Sequence, residues 1–153
     1  MDKTITMIIV EKLTSILADM VADTTCELQS WQYQSMAKGN VRLDAKMPNP
    51  TALFVQITDW SIDMTRISKR EASEISVFFL DKETKLDNEA MSQDVIIDRM
   101  MAIATDFISR VMADRDLKIA DDNIKIKSVF YQSDSNRDGV CVQMRIETKP
   151  SCL

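Results

Sequence analysis

The residues best suited to chemistry in this chain are carboxylates grouped near its carboxyl end. Asp134, Asn136 and Asp138, followed by Gly139, match the first six positions of a calcium-binding loop. That loop requires a bidentate carboxylate at its twelfth position, where this chain has Arg145. A β-turn uses the same residue types for their backbone angles. We therefore interpret the segment as a hairpin turn that ends in a left-handed Gly139.

Two further acidic groups are the pair Asp121-Asp122 and the cluster between Asp81 and Asp87. Glycoside hydrolysis would require two carboxylates that face each other across a cleft. Both groups lie at predicted element boundaries, where Asp and Asn cap helices and form turns. We expect no catalytic residues, no metal site and no cofactor.

Other common catalytic sites are excluded by residue types that are absent or rare. Histidine is absent, so a Ser-His-Asp triad, a Cys-His pair and an H-E-x-x-H zinc helix are all impossible. The only glycines are Gly39 and Gly139, which excludes glycine-rich phosphate-binding loops. The three cysteines are far apart and form no C-x-x-C motif, which favours reduced thiols, two in strands and one in the tail; they are Cys26, Cys141 and Cys152.

Charge and hydropathy restrict the possible partners. The net charge of −5 argues against a general nucleic-acid binder and suits a wall past which DNA slides without sticking. No apolar run is long enough to span a bilayer, and charged residues interrupt the first 22 residues, so no signal peptide is predicted. We expect a soluble protein that is made in a cytoplasm.

Two amphipathic helices are predicted, over 4–22 and 88–114. The first helix has one apolar face, formed by Ile9, Leu13, Ile16, Leu17, Met20 and Val21. The second helix has two adjacent apolar stripes, one of Ile97, Met101, Ala104, Ile108 and Val111 and one of Ile96, Met100, Ile103 and Phe107. Two stripes are more than one sheet contact requires, so the extra face is predicted to contact the first helix, a neighbouring subunit, or both.

Five strands are predicted, over 25–37, 51–60, 75–80, 123–132 and 140–147. The element order is therefore α-β-β-β-α-β-β. We expect one α+β domain over 1–153, with a mostly antiparallel sheet and both helices packed on one face. Segment 38–50 is predicted to be irregular because it contains a turn signal and two prolines. A short tail is expected over 149–153.

The predicted hairpin has an unusually long loop over 61–73, and long loops on compact domains often bind partners. A small basic cluster in it could meet phosphate or an acidic partner surface, although a solvated loop explains the same residues. The candidate interface residues are Trp60, Met64, Arg66, Ile67, Lys69 and Arg70. The eleven methionines favour adaptable core packing, with a methionine-lined subunit contact as the alternative.

The element order resembles that of the small tail-completion and tail-terminator proteins of tailed bacteriophages. The strongest similarity lies between residues 78 and 108. The similar segments are Phe78-Phe79-Leu80-Asp81-Lys82, then Lys85-Leu86-Asp87, and then a predicted helix with Val95-Ile96-Ile97-Asp98-Arg99-Met100 and Asp106-Phe107-Ile108. This central segment is similar to a virion-protein family of phages that infect Bacteroides-like hosts, including crAss-like phages.

The resemblance implies a structural protein of the head-to-tail junction. Such proteins form rings of six or twelve copies that join the portal to the tail or cap the tail, while DNA passes through the lumen. The implied partners are copies of the chain and other portal, connector or tail proteins. The implied location is the virion, after synthesis in the host bacterial cytoplasm. No catalytic residues are implied.

Two alternatives belong to other functional classes. A small adaptor or assembly-chaperone module would act as a monomer or dimer and would bind a protein partner in an exposed apolar groove. An enzyme would need carboxylate chemistry without histidine, and the sequence contains no paired carboxylate motif for it.

Overall fold

The computed structural model describes residues 6–35, 48–64, 68–82, 85–86, 89–90, 93–119, 124–130, 137–148 and 151–152. The helices are α1 (Thr6–Ala22) and α2 (Gln93–Ala113). The strands are β1 (Ser30–Ser35), β2 (Thr51–Met64), β3 (Ser68–Lys82), β4 (Lys85–Leu86), β5 (Glu89–Ala90), β6 (Leu117–Ile119), β7 (Lys125–Phe130), β8 (Arg137–Thr148) and β9 (Ser151–Cys152).

Seven of these strands form one sheet, whose main path is β1-β2-β3-β8-β6. Strand β7 pairs with β8, beside β6, and β9 pairs with one end of β3. Only β1 and β2 are parallel, and every other pair in the sheet is antiparallel. The short strands β4 and β5 pair separately. The predicted α+β class and the order of its main elements are confirmed.

The main core lies between one face of the sheet and the two helices. Alternate residues of each strand point to opposite faces, and the helix-facing set includes Phe54, Val77, Phe79 and Val142, all fully buried. The predicted apolar face of α1 supplies five buried residues, which are Ile9, Leu13, Ile16, Leu17 and Met20. Helix α2 packs on β3, β6 and β8, and α1 packs on β1 and β2.

Only one of the two apolar stripes of α2 lies mainly in the core. The buried residues of α2 are the whole second stripe, Ile96, Met100, Ile103 and Phe107, together with Ala104 and Val111 of the first stripe. In the rest of the first stripe, Ile97 and Ile108 lie at the margin of the core, and Met101 is exposed. The phenyl ring of Phe107 lies 5.5 Å from that of Phe79. This contact places α2 over the centre of the sheet.

The opposite face of the sheet is also buried near its centre. Leu53 and Leu80 are fully buried there, and Val55 and Cys141 are nearly so. Their positions alternate with those of the helix-facing residues along each strand. The central strands are therefore apolar on both faces, which explains the nearly continuous hydrophobic runs Ala52–Val55 and Val77–Leu80.

Several predicted boundaries were wrong. The first predicted strand begins at Ser30 instead of residue 25, because 23–29 is a connection with a turn. Helix α2 begins at Gln93 instead of residue 88, since Glu89–Ala90 forms a strand. The tail also contains strand β9, and β6 was not predicted at all. Residues 38–47 and 133–136 lie outside the described part of the chain.

The role predicted for Gly139 was also wrong. It lies inside β8, opposite Leu80 of β3 and Val129 of β7, and its backbone is not left-handed. A Cβ atom at this position would come within 1.9 Å of the carbonyl oxygen of Phe79. The glycine is therefore required because two strands approach closely there.

Candidate functional site

The predicted loop over 61–73 is wrong, because most of these residues extend two strands. Strand β2 continues to Met64 and β3 begins at Ser68, so together they form a long hairpin. We call its outer part, Trp60–Met64 with Ser68–Ser73, the arm. Polar and charged residues predicted a loop here, but the cross-strand register shows that they pair as strands.

The arm differs in register from the rest of the hairpin. Gln56 lies opposite Ile75, and Trp60 lies opposite Ser73. Residues 57–59 of β2 therefore correspond to the single residue Glu74 of β3. A bulge of this kind bends the strand and increases its twist.

The six candidate interface residues are placed by the same register. Trp60 and Met64 lie on β2, and Lys69 and Arg70 lie on β3. Met64 is opposite Lys69, and Asp63 is opposite Arg70. The other two candidates, Arg66 and Ile67, lie outside the described residues. The structure thus places four of the six on one hairpin arm.

The outer edge of β2 is paired over only part of its length. Strand β1 pairs with Thr51–Gln56, and its last partner pair is Ser35 with Gln56. From Ile57 to Met64 no strand within the described part of the chain pairs with this edge. At 3.3 Å per residue this free edge is roughly 25 Å long. Unpaired backbone donors and acceptors of this kind can pair with another chain.

A groove lies between α2 and the connection from α1 to β1. Its volume is about 480 Å³, and its lining residues are Thr25, Cys26, Glu27, Asp98, Arg99, Ala102, Ile103 and Asp106. Three of these are carboxylates and one is a cation. The groove therefore combines a mainly apolar lining with charged groups, of which Glu27 and Asp106 are paired with Arg99 and Arg110.

Arg99 of α2 forms ion pairs with residues of two other segments of the chain beside this groove. Its Nη1 donates to Oδ2 of Asp81 at 3.1 Å, and its Nε donates to Oε2 of Glu27 at 3.2 Å. Asp81 lies on β3 and is only 7% exposed, so the bridge ties α2 to the end of that strand. Asp138 of β8 lies opposite Asp81 and is equally buried.

Ion pairs also join the first 27 residues to α2 and the turn after it. They link Lys12 Nζ to Asp116 Oδ2 at 2.7 Å, Asp23 Oδ2 to Arg110 Nη2 at 2.7 Å, and Glu27 to Arg99. These partners occur in opposite order along the two segments, so the segments run antiparallel. Exposed pairs of this kind contribute little to stability. Their main effect is to fix how α1 and its connection lie on α2.

Asp23 has a strongly perturbed carboxyl group. The hydroxyl and the backbone N–H of Thr25 both donate to Oδ1 of Asp23, at 2.7 and 2.9 Å. These bonds, with a smaller contribution from Arg110, lower the pKa of Asp23 from 3.8 to about 2. The same hydrogen bonds form the turn that ends α1.

The two cysteines with described side chains carry no free reactive thiolate. Burial raises the pKa of the Cys141 thiol to about 11, although the Ser76 hydroxyl and Lys127 act in the opposite direction. Burial also raises the pKa of Cys26. Cys141 lies in a strand as predicted, but Cys26 lies in the turn before β1, and Cys152 of the predicted tail lies in β9.

Of the predicted acidic residues, the described structure brings together Asp81 and Asp138, which lie opposite each other on β3 and β8. Asp138 lies in β8, whereas Asp121, Asp122, Asp134 and Asn136 fall outside the described residues. Within the described ranges no group of three His, Cys, Asp or Glu side chains could hold a metal ion. The buried position of Asp81 was missed because it was assigned to a turn. The signal was its spacing, since it continues the alternation of Ile75, Val77 and Phe79.

Neither described helix is long and apolar enough to cross a membrane. Comparisons of the sequence with known proteins found no matching family model and no matching curated protein.

Proposed function

We propose that this chain is a structural subunit of a bacteriophage virion, in which copies form a ring at the head-to-tail junction. The ring joins the portal to the tail or caps the tail, and DNA passes through its lumen. The observation that carries the proposal is the arm with its free β2 edge. A ring requires a surface on each copy that fits a different surface on the next copy.

The resemblance supports the same assignment. Its strongest part, residues 78–108, begins in β3 and ends in α2. These elements connect the arm strand to the helix over the centre of the sheet. The residues that resemble the virion proteins thus belong to the part of the fold that supports the arm.

The chemistry of the described residues also suits a non-enzymatic role. Asp23, Asp81 and Glu27 are engaged in ion pairs with arginine side chains. The thiols of Cys26 and Cys141 have raised pKa values, which disfavours the nucleophilic thiolate at these two residues. The net charge of −5 weakens adhesion of DNA to the lumen of a ring.

A second candidate function is the adaptor or assembly-chaperone module. Its supporting observation is the groove beside Arg99, which is large enough for a partner side chain. Most of the lining surface is apolar, as this role predicted, but the groove also carries the carboxylates of Glu27, Asp98 and Asp106. A ring subunit explains the arm, and an adaptor leaves it without a role.

Purified phage particles test the proposal directly. We expect mass spectrometry to detect the chain in the particles and cryo-electron microscopy to locate it as a ring between portal and tail. Its absence from purified virions would overturn the proposal. Capture of a non-virion partner by the tagged chain, together with that absence, would favour the adaptor.

A further inference from the structure

We propose that neighbouring copies join by sheet extension, in which the free edge of β2 on one copy pairs with the outer edge of β7 on the next. This inference deepens the proposed function and rests on it for the identity of the partner, a second copy of the chain. It assigns the two surfaces of the contact to opposite ends of one sheet.

Both edges are open in the part of the chain that the structure describes. Strand β7 pairs with β8 on one side, from Lys125 opposite Gln143 to Phe130 opposite Asp138. No described strand lies on its other side. The free edge of β2 lies at the far end of the sheet, beyond β3 and β8. Among the described strands, each copy therefore has an unpaired part of β2 towards one end of its sheet, next to β1, and an unpaired edge of β7 towards the other.

The charges of the two edges are opposite in sign. Ile57–Met64 of β2 contains Asp59 and Asp63 and no cation. Lys125–Phe130 of β7 contains Lys125 and Lys127, both exposed, and no anion. Opposite charges on paired strands are favourable, and like charges directly opposite each other are unfavourable.

Charges on the adjacent strands leave this contrast in place. Lys69 and Arg70 lie opposite Met64 and Asp63 at the end of the arm, whereas Glu74 lies opposite the bulge that contains Asp59. On the other edge, Lys125 and Lys127 lie opposite Gln143 and Cys141, which are uncharged at neutral pH. The β2 edge remains acidic at its bulge, and the β7 edge remains basic.

Among the pairings that these two edges can form with themselves or with each other, the charge distribution favours one; the outer edge of β1 is uncharged and gives no such preference. Lysines on an edge strand oppose pairing with a second copy of that edge. Two copies of the acidic β2 edge repel each other in the same way. Pairing of β2 with β7 is the remaining combination, and it brings together different surfaces of the two copies. Such a contact propagates from copy to copy and closes into a ring when its rotation allows.

Two charge-reversal variants test the pairing by sedimentation velocity over a concentration series. The β7 variant is K125E/K127E. The arm variant is D59K/D63K/R70E, in which the last change keeps opposite charges at positions 63 and 70. We expect each variant alone to associate roughly tenfold more weakly than the native chain, or worse. The control R115E reverses an exposed charge in the turn after α2 and should associate normally.

An equimolar mixture of the two variants provides the decisive result. The basic arm of one variant then meets the acidic β7 of the other, and the two unchanged edges also match. We expect the mixture to recover native association as alternating oligomers with an even number of copies. Circular dichroism must show both variants folded.

Three outcomes would overturn the pairing. They are native association by folded variants alone, no recovery in the mixture, and a native chain that stays monomeric at every concentration. None of these results bears on whether the chain is present in phage particles. Imaging of the particles therefore tests the proposed function separately.

Discussion

At the scale of single residues, the structure tolerates substitution least where two main chains approach closely. Gly139 is the clearest case, because the carbonyl oxygen of Phe79 occupies the space that a side chain would need. Backbone atoms of a central strand cannot move aside as the end of a flexible side chain can. Even one methyl group at this position would force the paired main chains of β3 and β8 apart.

We predict that Gly139→Ala lowers the free energy of unfolding by about 3 kcal/mol, the upper range for overpacking in a core. Urea denaturation measures the change. The control Ser128→Ala alters an exposed residue of the adjacent strand β7 and should change the stability by less than about 0.5 kcal/mol. Equal stability of the two variants would contradict the close approach seen at residue 139.

The connection after α1 depends on one ionised carboxylate. Asp23 accepts hydrogen bonds from Thr25 and pairs with Arg110, and its pKa falls to about 2. Because the folded pKa lies below the ordinary value of 3.8, the carboxylate stabilises the fold at higher pH. This stabilisation is lost as the pH falls from about 3.8 towards 2.

The variant Asp23→Asn tests this linkage, because it keeps an acceptor for Thr25 and removes the charge. We predict that the difference in thermal midpoint between the native chain and D23N shrinks as the pH falls from 5 to 2.5. Asp19→Asn, an exposed change on α1, serves as the control and should show no comparable trend. A difference that stays constant over this range would contradict the lowered pKa.

At the scale of elements, α2 illustrates how the sheet selects one face of a helix. The stripe containing Met100 and Phe107 is buried, whereas Met101 and Met112 are exposed. Both stripes are apolar in sequence, so hydrophobicity alone does not decide between them. The choice depends on which side meets β3 and β8, where Phe79 provides an aromatic partner for Phe107.

We predict that Phe107→Ala costs about 3–5 kcal/mol of stability, since it leaves a cavity under α2. Met112→Ala on the same helix should cost less than about 0.5 kcal/mol, because Met112 is 69% exposed. Chemical denaturation of the two variants checks both values. A large loss of stability for Met112→Ala, measured on a monomeric chain, would contradict this orientation of α2 on the sheet.

At the scale of the whole molecule, the sheet has a well-packed centre and open ends. The helices and the central strands β3 and β8 contain most of the buried side chains. The arm and β7 lie towards the two ends of the sheet. The packed core and the unpaired edges among the described strands therefore lie in different regions of the same sheet.

Shortening the arm tests this separation. We predict that replacing residues 62–71 with Asn-Gly, a favoured two-residue hairpin turn, leaves a folded monomer. Ser61 and Ala72 already lie opposite each other and can flank the new turn. The thermal midpoint reports folding, and sedimentation velocity reports the expected loss of association. Oligomers that persist in the shortened chain would exclude the arm as the contact.

The sequence by itself determined the elements whose patterns are local. The alternation of Val140, Val142, Met144 and Ile146 predicted β8, and the apolar periodicity of residues 96–111 predicted α2. From these patterns and the element order, the α+β class followed. The candidate interface residues were assigned to a loop, whereas four of the six lie on paired strands; their role as an interface stays a prediction.

Only the tertiary structure decided features that depend on distant partners. It paired β1 parallel to β2, continued β2 and β3 through polar residues, and placed Gly139 against Phe79. Periodicity is a property of neighbouring residues, whereas pairing depends on which strands meet across the sheet. For the same reason, the sequence did not show that the acidic β2 edge and the basic β7 edge lie towards opposite ends of the sheet. Their positions follow from the strand order.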